Sequence, residues 1–391
     1  MSPAPANPSR PKIASSLLKY PIQNYQPFKG VYILLRVSSL LVLVPFWGIY
    51  FSLPSNRGRR SWKVSECIVM HLVKWIMPLN AECGIAPASV SKVRELREGD
   101  LNETHFVWIN PAKEERIRGM ARDGRVKGAK VPGYVWPKGA KLDDLGDEDV
   151  VGLFIHGGGY MMGNGTETFP RHSSNRSKMK RILSLEYRLC GDSPHPAQLL
   201  DALAAYAHLV ETLNIDPKRI VLLGACAGGN LVMMLARYLY KEKVLPMPGG
   251  LMLFSPVLDM GIDFEITQGT AKPRPNTDID WLATSHLANV RLLGQDHKEP
   301  EILFGPYFSS NRTPPGSYTA YPPTFVSIGD AESLREENEQ LVELLRGDGV
   351  DVTFDVQKDA VHDFISMDAI PSDQARESAV QSACSWVDRL G

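Results

Sequence analysis

The sequence predicts an α/β fold, a mostly parallel sheet with helices on both faces, and three observations predict it. Short apolar runs recur at 105–109, 131–136, 150–155, 181–187, 220–224, 251–255, 324–328 and 352–356, with the spacing and length of strands. Segments of helical spacing alternate with them at 197–213, 228–242, 335–346 and 373–389. Glycine-rich or small-residue turns follow the runs ending at Ile155 and Gly224, at the strand ends where such sheets bind ligands.

In chain order, residues 1–12 are rich in Pro, Ala and Ser and are expected to form a disordered tail. Positions 37–53 are a charge-free apolar stretch of seventeen residues, short for a membrane span and interrupted by Pro45 and Gly48. The stretch starts too far from Met1 for an ordinary secretory signal peptide. Over 62–77 the apolar positions 64, 68, 69, 72, 73 and 76 have the spacing of an amphipathic helix with one buried face. Two readings of residues 1–100 stand open: cap helices over an apolar pocket, or a membrane-associated segment around 31–53. Residues 101–391 form the main domain, with an insertion near 258–308. In that insertion 278–281 and 287–293 look helical, and Trp281, Phe304, Tyr307 and Phe308 are read as packing rather than as pocket residues.

The chemistry concentrates in three places. After the apolar run at 220–223 comes Gly224-Ala225-Cys226-Ala227-Gly228-Gly229-Asn230, a strand-to-helix turn of the nucleophile-elbow kind with cysteine at its apex. Small neighbours are needed there because the backbone is crowded and strained. Seventy positions upstream, the strand at 150–155 ends in His156-Gly157-Gly158-Gly159-Tyr160. A triple glycine lets backbone N–H groups turn inward, so Gly158 and Gly159, with Ala227, are the expected oxyanion donors. A phosphate cradle would want Lys-Ser/Thr after the glycines, whereas Tyr160-Met161-Met162 follows. Tyr160 is the candidate substrate contact. The third place is C-terminal: a strand at 324–328 precedes Asp330 and Glu332, and one at 352–356 precedes His362. The order nucleophile, acid, histidine suits a triad in which the carboxylate orients an imidazole that serves the nucleophile.

On these motifs the chain resembles the hormone-sensitive-lipase-like family of α/β-hydrolases over about residues 100–391. Glu186-Tyr187-Arg188-Leu189, His195-Pro196-Ala197, Asp201, Ser255-Pro256 and Tyr321-Pro322-Pro323-Thr324 add to the likeness. The resemblance implies a helical cap shared between the N-terminal segment and the insertion near 258–308. It also implies an acid two residues before a Leu-Arg pair, which is Glu332 here, with Asp330 as the rival.

The chain departs from the family at Ala225, where Asp is common, and at Cys226, where Ser is expected. A thiol beside His362 ionises more readily than a hydroxyl, so attack is not impaired. Collapse is impaired, because a thiolate leaves more easily than an alkoxide and the intermediate reverts. Oxyester hydrolysis is therefore expected to be slow, and thioester substrates avoid the difficulty. Three origins of Cys226 stand side by side: a natural cysteine hydrolase or acyltransferase, a serine enzyme with an introduced replacement, and a binding protein that has lost catalysis.

With 391 residues and 43% hydrophobic content the chain can bury a large core and a cap. A net charge of −1 gives no reason to expect nucleic acid, and the Arg57-Gly58-Arg59-Arg60 cluster is too short to argue for it. The five cysteines, an odd number without CxxC spacing, indicate neither a disulfide framework nor a zinc site, and point to a reducing, intracellular compartment. Matches to N-x-S/T begin at Asn102, Asn164, Asn175 and Asn311, a pattern common by chance. The expected function is acyl transfer on a small or medium apolar ester, thioester or lactone, with no cofactor or metal. The partners expected are that substrate, an acyl-thioester carrier, and a membrane met through 31–53. A ring-forming cyclase or transacylase is the runner-up.

Overall fold

Eight strands form one sheet in the order β1-β2-β4-β3-β5-β6-β7-β8, in which the chain skips a place after β2 and β4 fills it between β2 and β3. The computed structural model describes residues 10–84, 101–166, 173, 176–272, 282–294, 297–366 and 373–390. The strands are β1 His105–Ile109, β2 Val131–Trp136, β3 Val150–Ile155, β4 Met179–Leu185, β5 Ile220–Ala225, β6 Gly250–Phe254, β7 Thr324–Gly329 and β8 Val352–Gln357. Strand β2 runs antiparallel to both its neighbours, β1 and β4, and every pairing from β4 through β8 is parallel. The helices are α1 Phe28–Tyr50, α2 Val64–Cys83, α3 Ala197–Ala207, α4 Ala227–Glu242, α5 Ile262–Thr267, α6 Leu282–Leu293, α7 Arg335–Gly347 and α8 Asp373–Arg389.

The central strands are buried on both faces, as a parallel sheet covered by helices requires. Because side chains alternate across a strand, Leu153, Ile155, Leu222 and Leu253 share one core with α3, α4 and α7. Phe154, Val221, Leu223, Met252 and Phe325 share the other with Ala379, Val380, Ala383 and Trp386 of α8. A third, smaller cluster holds the N-terminal pair to the loops after β7 and β8: Trp47, Phe51, Trp62, Cys67 and Met70 meet Ala331 and Val361.

The structure moves several expected boundaries. Strand β4 lies two residues earlier than 181–187, since Glu186 and Tyr187 leave the sheet to brace the loop after β3. The helix expected over 197–213 is α3 followed by a π-turn at His208–Thr212. The apolar stretch 37–53 belongs to the longer α1, which runs through Pro45 because a proline removes only one rung of the helical ladder. The helix expected over 62–77 is α2, which ends at Gly84 in the left-handed conformation, φ 58°. Helix α6 begins earlier than the predicted 287–293, while 278–281 lie outside the described residues. Residues 10–12 are exposed and irregular, and 1–9 lie outside the described residues. Phe304 and Phe308 are buried, in keeping with packing.

Candidate active site

The turn from β5 into α4 holds Cys226 at φ 51° and ψ −118°, a conformation that costs a non-glycine residue on the order of 1–3 kcal/mol. The surroundings fix it there. The Cys226 N–H donates to the Phe254 carbonyl at 2.9 Å, and the Cys226 carbonyl accepts from Asn230 and Val257. A Cβ on Gly224 would lie 2.4 Å from the Gly228 carbonyl oxygen, and one on Gly228 only 2.0 Å from that of Ile155. The glycines are therefore dictated by the crossing of helix and strands.

The loop after β3 turns through Gly158 at φ 94° and Gly159 at φ 61°. The Gly158 carbonyl accepts from both Met161 and Met162 at 3.0 Å, which curls the chain back on itself. Two buried groups brace the loop from β4. Glu186 accepts the Gly165 N–H at 2.6 Å, and burial pushes its carboxyl up to about 7. Tyr187 donates to the His156 carbonyl at 3.1 Å, and its ring stacks on His156 at 4.2 Å. Gly158, Gly159, Ala227 and Cys226 line one cavity. Ala227 is the first residue of α4, where backbone N–H groups have no partner within the helix.

His362 follows β8 and is fully buried behind the thiol. Its Nδ1 lies 3.2 Å from Glu332 Oε2, itself buried. Burial alone would lower the His362 pKa, but Cys226 and Glu332 on its two sides outweigh it and hold the imidazole well above its usual range. The Glu332 contact occupies Nδ1, which leaves Nε2 for the Cys226 side of the ring, and Cys226 is among the groups that raise the His362 pKa. Asp330 is engaged elsewhere. Its Oδ1 accepts the Asp359 N–H at 2.7 Å and pairs with Arg59 at 3.4 Å. The neighbouring Asp363 carboxyl is pushed up to about 6 by burial, opposed by His362.

Tyr160 lines the cavity with its ring, while its hydroxyl donates to Asn230 Oδ1 at 2.7 Å. Asn230 in turn donates to the Val257 and Phe308 carbonyls at 2.9 Å each. The rest of the wall is largely apolar: Met161, Met162, Val257, Met260, Ala288 and Leu334, with Asp263, Ser285 and Asn289 as its polar members. Sequence reading assigned none of these to the wall. Only the insertion boundary at 258–308 hinted at five of them, since a Met or Ala in an insertion carries no mark of which way it faces. The insertion's α6 packs against α2, so the N-terminal helices and the insertion meet. All five cysteines are unpaired and buried. Among the described residues no group of three His, Cys, Asp or Glu side chains is arranged to hold a metal.

A strand-elbow-helix with a buried histidine and carboxylate behind it defines an α/β-hydrolase. The chain belongs to the family described as "alpha/beta hydrolase fold", whose model matches residues 152–366, and is of the hormone-sensitive-lipase-like kind. Among curated relatives, a lipase, "Lipase 2", of a Moraxella strain is 28% identical over 237 residues, 55% of this chain and 54% of that protein. An acetyl-hydrolase of Streptomyces hygroscopicus is 28% identical over 213 residues, 54% of this chain and 66% of its own. The chain thus spans between half and two-thirds of the length of these relatives. A solved esterase of the bacterial hormone-sensitive lipase family superposes with a TM-score of 0.57 at 21% identity, covering 84% of this chain and 99% of its own, and shares the fold.

Proposed function

We propose that the protein is an acyl-transfer hydrolase of carboxylesterase or thioesterase type, acting on a small or medium apolar ester, thioester or lactone. The observation that carries this reading is the buried line Cys226, His362, Glu332 beside an apolar cavity walled by Gly158, Gly159 and Ala227. Relatives named as lipase and acetyl-hydrolase support it. Glu332 holds the Nδ1–H tautomer, so His362 Nε2 takes the Cys226 proton. Sγ attacks the acyl carbon, and the oxygen that gains charge is held by the N–H groups of Gly158, Gly159 and Ala227. The bond to the leaving oxygen or sulfur then breaks, and the His362 proton goes to it. Water or an alcohol attacks the acyl-cysteine, gives its proton to His362 and releases the thiolate. Tyr160 positions the substrate with its ring.

Cys226 favours one variation. The tetrahedral intermediate partitions toward whichever sulfur or oxygen leaves more easily, so an oxyester mostly reverts and a thioester moves forward. Transfer to a hydroxyl, including ring closure by a transacylase or cyclase, is then as accessible as hydrolysis, and an acyl-thioester carrier becomes a natural donor. A noncatalytic binding role is the third reading, and it gives no account of the hydrogen-bonded His362 and Glu332. We also read the protein as intracellular and associated with an internal membrane through 31–53. The test compares the protein with Cys226→Ser on short p-nitrophenyl esters and matched thioesters. A cysteine form faster on thioesters supports transacylation or thioester cleavage. A serine form faster by more than about tenfold on both substrates marks an attenuated serine esterase.

A further inference from the structure

Helix α1 is apolar around its whole girth, yet only one side of it is used inside the protein. Leu40, Leu43, Val44 and Trp47 pack toward α2, whereas Leu34, Leu35, Leu41, Val42, Phe46 and Ile49 face outward, with Leu41 81% and Ile49 75% exposed. Leu34 and Leu41, and likewise Leu35, Val42 and Ile49, recur every seven residues, two helical turns, with Phe46 between the last two, forming one stripe along a helix of about 35 Å. A contiguous exposed patch of this kind marks an interaction surface.

The charge around the stripe identifies its partner. The first 65 residues contain nine Lys and Arg and no Asp or Glu, the first acid being Glu66, which leaves 34 basic against 44 acidic side chains in the rest of the chain. Four of the nine precede or open α1 (Arg10, Lys12, Lys19, Lys29) and four follow it (Arg57, Arg59, Arg60, Lys63). A second copy stacked on the stripe would bring two such positive segments together, so self-association is disfavoured. An anionic lipid surface suits both the apolar stripe and the bases at its ends.

The packing also decides how the helix would lie. Arg36, midway along α1, donates to the Trp75 carbonyl with its guanidinium 3.8 Å from the centre of the indole ring, and the Trp75 indole donates back to the Arg36 carbonyl at 2.9 Å. Lys29 reaches the Gly84 carbonyl at 3.3 Å at one end, and the Trp47 and His71 rings meet at 5.5 Å toward the other. Held along its length by α2, α1 cannot cross a bilayer without carrying α2 and its charges with it. The even division of bases between its two ends also lacks the asymmetry that orients a spanning helix.

We propose that α1 is an in-plane docking helix that seats the protein on one leaflet of an anionic bilayer, with its outward stripe among the acyl chains and the flanking bases at the headgroups. The surface is tied to the catalytic loops. Arg59 donates to the Asp330 carbonyl at 2.7 Å, and the Trp62 indole to that of Asp359 at 2.9 Å. Docking therefore sets the loops bearing Glu332 and His362 close to the lipid, the source of apolar substrates. The docking claim itself does not rest on the hydrolase reading.

The test is vesicle flotation of the full chain with phosphatidylcholine alone and with about 30 mol% phosphatidylglycerol added, at low salt and at about 0.5 M. The expected result is partition at least about tenfold stronger to the anionic vesicles, most of that preference being lost at high salt. Leu41→Asn with Ile49→Asn should lower partition to both vesicles by about tenfold or more. Lys19→Glu with Arg60→Glu should remove only the anionic preference, without changing hydrolysis of a water-soluble ester. No flotation with anionic vesicles, or equal flotation with both kinds, overturns the proposal. So does a lipid-free dimer in sedimentation velocity that the Asn pair dissociates. Protease protection placing the two ends of α1 on opposite sides of a bilayer overturns the in-plane geometry.

Discussion

The sheet-and-elbow region and the N-terminal helix pair are both rich in apolar residues, but they use them in opposite ways. In the first, Phe154, Leu223 and Phe325 are fully buried in the sheet, and Cys226 follows its strand β5 at positive φ. In the second, Leu41, Val42 and Ile49 lie open on a helix whose inner side alone is packed. Apolar sequence thus reports burial only where the fold closes around it. Elsewhere it reports what surface the protein meets.

The sharpest break between the regions is chemical. His362→Ala should lower acylation by about 10³-fold or more while the protein stays folded, measured as burst amplitude and rate with an activated thioester. An Ile49→Asn change, on the far side of the N-terminal pair, should leave that rate within about twofold. Glu332→Gln should cost about 10²-fold or more in kcat, because the wrong imidazole tautomer is then favoured. Asp330→Asn should leave kcat within a few fold and cost at most about 1 kcal/mol, as its pair with Arg59 is partly exposed. If instead the Asp330 change abolishes turnover and the Glu332 change does not, the acid has been misassigned.

The next contrast is thermodynamic. Phe154→Ala should destabilise the protein by about 3–5 kcal/mol in urea unfolding, and Leu41→Ser by less than about 0.5 kcal/mol. Equal losses would mean the outward stripe is packed in solution.

The smallest effect is a pH dependence confined to the first region. Burial raises the Glu186 carboxyl to about 7, so the folded state holds its proton more tightly than the unfolded chain does. Its contribution is fullest below the ordinary carboxylate pKa and declines as pH rises toward 7, by about 3 kcal/mol. Glu186→Gln should flatten stability between about pH 4.5 and about pH 7, the window set by that shift. A profile unchanged by the substitution would remove Glu186 as its source.

The same contrast explains what was legible in the sequence. The elbow and the triple glycine could be read because backbone crowding leaves few choices: Gly224, Gly228 and Gly158 have carbonyl oxygens where a Cβ would stand. Glu332 came from its register before a Leu-Arg pair; its carboxylate lies 3.2 Å from His362 Nδ1, while Asp330 pairs with Arg59, far away in sequence, a contact no local pattern announces. The eight strands were legible to within two residues, since short apolar runs between turn residues have no other use in a parallel sheet. The cavity wall was not legible. Met161, Met260, Asp263 and Ser285 reach it from the loop after β3 and from the insertion, and nothing local tells which side chains turn inward. The length of α1 was missed because Pro45 reads as a breaker, and a helix braced by a neighbour tolerates it.

The most direct measurement is intact-protein mass spectrometry after brief mixing with an activated acyl thioester, followed by peptide mapping. The account predicts a single acyl group on Cys226, absent in Cys226→Ala and much slower to form in His362→Ala. Turnover without any adduct, or an adduct on Cys67, Cys83, Cys190 or Cys384 in its place, would contradict the central claim that Cys226 is the nucleophile.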